Sequence, residues 1–159
     1  MAPPLTSTPT QDVVDERAMR AWVAFLRAHA GITRQLDADL IAAHGLTLND
    51  YDVLVQLRDE PLRMSELADR IVLTRSGVTR RVDRLERAGL VRRRACASDA
   101  RGSWAELTPA GQDTLADARA THLHGVQELF AGRLGGDQLE LLADLLSDLP
   151  LGPEAACDA

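Results

Sequence analysis

Apolar residues fall into helical stripes over most of the chain and lose that spacing in one place, near the middle. From about Gln11 to His44, Ala18, Trp22, Phe25, Ile32, Leu36 and Leu40 recur at steps of three, four and seven, which lines one face of an amphipathic helix. Gly45 then stands where a helix ends on a left-handed residue. Thr47 followed by Asp50 resembles a capping box, opening a second helix through Tyr51, Val53, Leu54 and Leu57 that Glu60-Pro61 ends. Ser65 is placed to cap a third, short helix carrying Leu67, Ala68 and Ile71, with a turn at Val72-Leu73-Thr74. A fourth helix is predicted from Arg75 to Ala88, stopped by Gly89. On it Val78, Val82 and Leu85 share one face, while Ser76, Arg80, Asp83 and Arg87 lie opposite with Thr79 and Arg84 flanking.

The helical period then breaks. Leu90 to Cys96 and Ser103 to Leu107 read as short strands, joined by Ala97 to Gly102, too long for a tight hairpin and therefore projecting as a wing. Thr108-Pro109 signals the start of a fifth helix, which runs with Leu115, His122, Val126, Leu129 and Phe130 to about Arg133. Gly135-Gly136 breaks it, and a last helix from about Asp137 to Leu149 carries leucines at 139, 142, 146 and 149.

Charge changes the picture. The 159 residues carry a net charge of −6. Between Arg75 and Arg101, however, nine arginines face only Asp83, Glu86 and Asp99, a local excess of +6 against −12 elsewhere. A cationic stripe of this kind attracts polyanions through its local field whatever the total charge, so nucleic acid is the leading partner. A solvated helix face is the ordinary reading of a charge run, but it leaves the wing unexplained.

Other classes find less support. With 45% hydrophobic and 3% aromatic residues the chain can bury one core built from Leu, Ala, Val and Ile. Cys96 and Cys157 stand far apart, which argues against a disulfide framework and for a reducing compartment. There is no apolar run of membrane-spanning length and no basic-apolar signal at the start, so a soluble, cytoplasmic protein with no membrane partner is expected. His122 and His124 are two apart on a helix and face different ways, unlike the i, i+4 spacing of a helical metal site, and His29 and His44 add no cluster. No phosphate loop or nucleophile elbow is present. We therefore expect no enzyme, no cofactor and no metal.

The order of these elements is that of a winged helix-turn-helix flanked by extra helices. The chain resembles the MarR family of bacterial transcriptional regulators. The resemblance rests on Leu67-Ala68, Val78-Thr79-Arg80, Val82 to Glu86, Gly89-Leu90-Val91, Asp99-Ala100-Arg101, Leu107-Thr108 and Gly111, and it spans about Trp22 to Leu149. It implies a fold that is mainly α with a small β wing, arranged as a disordered tail 1–10, a dimerisation helix 11–46, a winged helix-turn-helix lobe 47–107, dimerisation helices 108–149 and a flexible tail 150–159.

The resemblance also implies a homodimer on double-stranded DNA with a near-palindromic operator. Arg75, Ser76, Thr79 and Arg80 would touch bases or phosphates, with Arg84 and Arg93 as further DNA contacts, and Arg101 would enter the minor groove, held by Asp99. The residue chemistry agrees, since arginine forks match guanine edges and phosphates. For Arg80, Arg84 and Arg87 the alternative is pairing within the helix with Asp83 or Glu86. A repressor released by a small anionic or phenolic effector is the implied function, with Trp22, Phe25, His29 and Tyr51 as candidate ligand contacts. Their helical spacing, however, reads first as core or dimer contacts for Trp22 and Phe25, and as a satisfied core histidine for His29. Cys96, among Arg93, Arg94 and Arg101, is a candidate redox thiol. A constitutive DNA-binding dimer without effector, and a winged helix used for protein contacts, are the alternatives.

Overall fold

The structure is a computed structural model that describes residues 14–71, 74–96 and 99–149, with the backbone alone for residues 95, 96 and 99–102. The chain divides into two compact units, meeting between Gly31 and Ile32. Helix α1 (Glu16–His44) supplies the first unit with its opening turns and the second with its remainder. Then follow α2 (Leu48–Gln56), β1 (Leu62–Arg63), α3 (Met64–Arg70), α4 (Arg75–Arg87), β2 (Val91–Cys96), β3 (Asp99–Leu107), α5 (Pro109–Leu129), a 3-10 turn at Ala131–Arg133 and α6 (Gly136–Ser147). The fold is mainly α with a small sheet, as expected.

In the first unit, Asp15 caps α1 by accepting from the Ala18 amide at 2.6 Å, meeting one of the helix's orphan donors. Trp22, Phe25 and His29 stack in series, with ring centroids 6.1 and 6.3 Å apart. Trp22 and Phe25 are exposed, together with Met19 and Leu26, so they are not core residues of this chain.

In the second unit the core gathers Leu40, Leu46, Val53, Leu54, Leu57, Leu62, Leu67, Val78, Val82, Leu85, Val91, Ala105 and Leu115. Gly45 and Gly89 take φ of 67° and 74°, the left-handed stops expected after α1 and α4. The Thr47 capping box forms: the Asp50 amide donates to Thr47 Oγ1 at 3.2 Å and the Thr47 amide to Asp50 Oδ2 at 2.9 Å.

Several boundaries differ from expectation. Helix α2 ends at Gln56 with Leu57 as its C-cap, short of the Glu60-Pro61 stop. The intervening turn carries the Arg58–Asp59 pair at 3.0 Å. Ser65 lies inside α3. The cap is instead Arg63, whose amide donates to Glu66 Oε2 at 2.9 Å.

The sheet has three strands in the order β1-β3-β2, all antiparallel, rather than two. Leu62 pairs with Ala105 and Arg63 with Trp104, and the Arg63 guanidinium lies 5.3 Å from the Trp104 ring centre. β3 begins at Asp99, opposite Cys96, so the strand runs through most of the segment read as a six-residue turn. A register shift at Ala95/Cys96 accommodates it. Val72-Leu73, Ala97-Ser98 and the two predicted tails lie outside the described residues. Helix α5 stops at Leu129, before the predicted Arg133, and α6 begins on Gly136 itself. Among the described residues no helix is long and apolar enough to cross a membrane.

Candidate nucleic-acid interface

Helix α4 exists because Thr74 caps it, accepting from the Gly77 amide at 3.1 Å, and because Val78, Val82 and Leu85 give it a buried stripe. Burial of that stripe against α2 and α3 fixes which residues face out. Arg75, Ser76, Thr79 and Arg80 are all exposed. Thr79 Oγ1 donates to the Arg75 carbonyl at 3.0 Å and Arg80 Nε to the Ser76 carbonyl at 3.3 Å. These local bonds orient both side chains along the helix surface. Ser76 Oγ sits 3.2 Å from Thr74 Oγ1. Arg75 reaches Asp69 only at 3.9 Å with both side chains largely exposed, a pair too solvated to hold it.

Arg84 and Arg93 are both engaged with acids inside the lobe. Arg84 does not pair with Asp83 or Glu86. Its NH1 lies 2.8 Å from Oδ2 of Asp50 on α2, and its NH2 donates to the Gly45 carbonyl at 2.9 Å. Arg81, absent from the sequence-derived candidates, joins the same carboxylate with NH1 3.5 Å from Asp50 Oδ1 and donates to Thr47 Oγ1 at 3.2 Å. Asp50 is fully buried, and a buried carboxylate needs such partners. The sequence showed Asp50 only as a cap, since its arginines lie more than thirty residues away.

Arg93 braces the wing. Its NH1 is 2.5 Å from Asp83 Oδ1 and 3.3 Å from Glu86 Oε2, and its amide donates to Glu86 Oε1 at 3.2 Å. Strand alternation turns Arg92 the other way, onto Glu106 at 2.6 Å. Asp83 and Glu86 thereby share one guanidinium from β2, and Arg87 donates to the Asp83 carbonyl at 3.1 Å. The exposed face of α4 is left with a positive excess. Gly77, Arg80, Arg81 and Arg84 line a cleft of about 380 Å³ along it.

β2 and β3 carry Cys96, Asp99 and Arg101 at the hairpin end of the wing; their side chains lie outside the described residues. The ligand candidates fall in both units. Trp22, Phe25 and His29 form the stack on α1. Tyr51 is buried on α2, stacked on His122 of α5 with centroids 4.6 Å apart. Burial pushes the His122 imidazole below its ordinary pKa, and its Nδ1 is buried without a hydrogen-bond partner in the structure. His44 Nε2 meets Thr121 Oγ1 at 2.8 Å.

The chain matches the sequence model of the MarR family over residues 44–102, from the end of α1 into the wing. It is 27% identical to the HTH-type transcriptional regulator MhqR of Bacillus subtilis over 139 residues, covering 86% of this chain and 93% of that one. Among solved structures, it resembles AbsC, a MarR family transcriptional regulator from Streptomyces coelicolor, at 34% identity and a TM-score of 0.77, covering 84% of this chain and 91% of that one. It also resembles Sco3205, another MarR family regulator from that organism, solved in complex with DNA, at 31% identity and a TM-score of 0.80, with 84% and 89% covered. Together with the capped, arginine-faced α4 and its braced wing, these matches establish that the chain belongs to the MarR family and is a DNA-binding transcriptional regulator.

Proposed function

We propose that the protein acts as a homodimeric repressor that reads a near-palindromic operator with α4 and leaves it on binding a small anionic or phenolic ligand. The carrying observation is the exposed face of Arg75, Ser76, Thr79 and Arg80 on a helix whose opposite side is fixed in the core. Arg75 and Arg80 supply forks for guanine edges or phosphates, and Ser76 and Thr79 supply short hydroxyls beside them. Arg101, at the hairpin end of the wing and held by Asp99, is assigned to the minor groove, where narrow A·T tracts concentrate negative potential. Two copies would read half-sites about 10 base pairs apart, one turn of the duplex.

A second copy is supported by apolar faces that the single chain leaves exposed. Trp22 and Phe25 on α1, and Leu141 and Leu145 on α6, are each about half exposed or more. The ligand proposal names Tyr51 and, within their own unit, Trp22, Phe25 and His29. Aromatic walls with few polar handles suit a small aromatic anion.

Mobility shift on DNA from upstream of the protein's own gene, at two salt concentrations, tests the proposal. Wild type should shift one near-palindromic segment in steeply salt-dependent fashion. Arg80→Ala should lose about 1–3 kcal/mol and relax base preference, and Arg101→Ala should weaken binding most at A·T-rich flanks. A panel of benzoates and phenols should then release the complex. Binding that no compound in the panel relieves favours a constitutive regulator, and no specific binding at all refutes the operator reading.

A further inference from the structure

We infer that Arg81 and Arg84, held in place by Asp50, form with Gly77 a seat for one phosphate of the DNA backbone. This deepens the reading of α4 as the DNA-contacting helix and rests on it. With about 100° between successive residues, Ser76, Arg80, Asp83 and Arg87 mark the centre line of the exposed face, while Gly77, Arg81 and Arg84 lie on the flank towards α2. A helix lodged in a groove presents its centre line to base edges and its flanks to the phosphates at the groove walls. The flank is therefore where a phosphate contact belongs.

The chemistry of the cleft fits that position. Three arginines, Arg80, Arg81 and Arg84, line it beside Gly77, which adds no side chain to fill it. One carboxylate, Asp50, stands against the three, so the cluster keeps a positive excess. Asp50 itself is fully buried and offers no charge to solvent. Its Oδ2 already accepts from the Thr47 amide at 2.9 Å and its hydroxyl at 2.7 Å, so the carboxylate is a fixed post on α2. Arg84 is pinned at two points, on Asp50 at 2.8 Å and on the Gly45 carbonyl at 2.9 Å. Arg81 is pinned on Thr47 Oγ1 at 3.2 Å. A guanidinium has five N–H donors, so these anchors set its plane while leaving further donors for a tetrahedral anion. Side chains fixed before binding lose less rotamer entropy when the phosphate arrives. Asp50 is accordingly a positioning residue, acting on DNA through the two arginines.

Fluorescence anisotropy at salt concentrations from 50 to 200 mM tests this. Two duplexes of equal length are used, one carrying the DNA upstream of the protein's own gene and one of mixed sequence. Each phosphate contact contributes about 0.9 to the slope of log affinity against log salt. Arg81→Ala should therefore weaken binding by the same factor on both duplexes and flatten the slope by about 1. Its deficit should be about 3.5-fold smaller at 200 mM than at 50 mM. Arg81→Lys, which keeps the charge without the fork, should recover most of the slope but only part of the affinity.

Asp50→Asn separates positioning from charge. It removes a negative charge, so charge alone predicts tighter binding; loss of the anchor predicts weaker binding with a flattened slope. A fall in folded fraction lowers apparent affinity without changing the slope, so the slope reports positioning even in a less stable variant. Tighter binding by Asp50→Asn, or an unchanged slope in Arg81→Ala, overturns the seat. Arg80→Ala on the upstream duplex distinguishes the two levels: if it weakens binding while Arg81→Ala does nothing, the seat falls and the reading of α4 stands. If neither matters, both fall.

Discussion

Helices α4 and α6 both carry a regular apolar stripe, yet the chain treats them oppositely. In α4, Val78 and Val82 are completely buried and Leu85 nearly so, because α2, α3 and the sheet close over them. In α6 no residue is buried. Leu139, Leu142 and Leu146 are partly covered, while Leu141 and Leu145 are 59% and 57% exposed. Equal hydrophobic patterning thus produces a finished core in one region and an unfinished face in the other. A helix apolar on most sides is stable in water only when something else covers it, and under the proposed dimer that cover is a second chain. The lobe proposed to read DNA is completed from within; α6 is not.

The comparison is broken most directly by cutting into the finished region. Leu54→Ala should cost about 2–5 kcal/mol, because a fully buried leucine loses its transfer energy and leaves a cavity. Urea denaturation followed by circular dichroism measures it. A cost near zero would mean that the lobe, too, is loosely packed.

Gly111→Ala probes a close approach rather than a cavity. A Cβ there would stand 2.0 Å from the Leu90 carbonyl oxygen, so α5 or the β2 end must shift. Thr108 shares the junction, donating from its hydroxyl to the Gly89 carbonyl at 2.7 Å. A loss of about 1–3 kcal/mol is expected, and an unaltered melting temperature would show that the junction gives way freely.

How much of this was legible depends on sequence distance. The buried face of α4 followed from Val78, Val82 and Leu85, and the Thr47–Asp50 box from two residues three apart, because both are local patterns. β1 was invisible: two residues carry no period, and Leu62 and Arg63 become a strand only because β3 offers them a partner. The early part of β3 was hidden for a similar reason. Asp99, Ala100 and Gly102 disfavour strands by propensity, and pairing to β2 overrides it. For the site, the exposed arginines of α4 were readable from periodicity. The anchoring of Arg81 and Arg84 on Asp50 joins elements more than thirty residues apart, Arg93 finds Asp83 and Glu86 only through the turn from α4 into β2, and charge alone did not say which acid each arginine would choose.

One position inside the finished region is not optimised, and it sharpens the contrast. Burial raises the Asp52 carboxyl on α2 from 3.8 to about 6. Its folded pKa lies above the unfolded one, so its stabilising protonated form is fully present below pH 3.8 and lost as pH rises through 6. Asp52→Asn should therefore stabilise the protein above pH 6 by about 1–3 kcal/mol, with the gain vanishing near pH 4. His122 runs the other way. Its folded pKa is depressed, so stability falls as pH drops below 6.5 and the ring gains its proton. Denaturation of wild type and Asp52→Asn across pH 4–8 isolates the carboxyl, since the histidine is common to both. A constant difference between them would remove Asp52 as its cause.

The smallest expected effect on a single chain tests the unfinished region. Leu145 is more than half exposed, so Leu145→Ser removes little buried surface from its own chain and should change the stability of an isolated protomer by no more than about 0.5 kcal/mol. If a second copy covers α6, the consequence lies in assembly. Wild type should melt higher as its concentration rises, because association adds to folding stability by mass action. Leu145→Ser should lose that dependence and sediment as a monomer at concentrations where wild type is a dimer. DNA affinity should fall with it, since a protomer that reads one half-site forfeits the linked second contact. A variant that still sediments as a dimer would show that α6 presents Leu145 to solvent in the assembled protein, and the two helices would then differ in composition rather than in partnership.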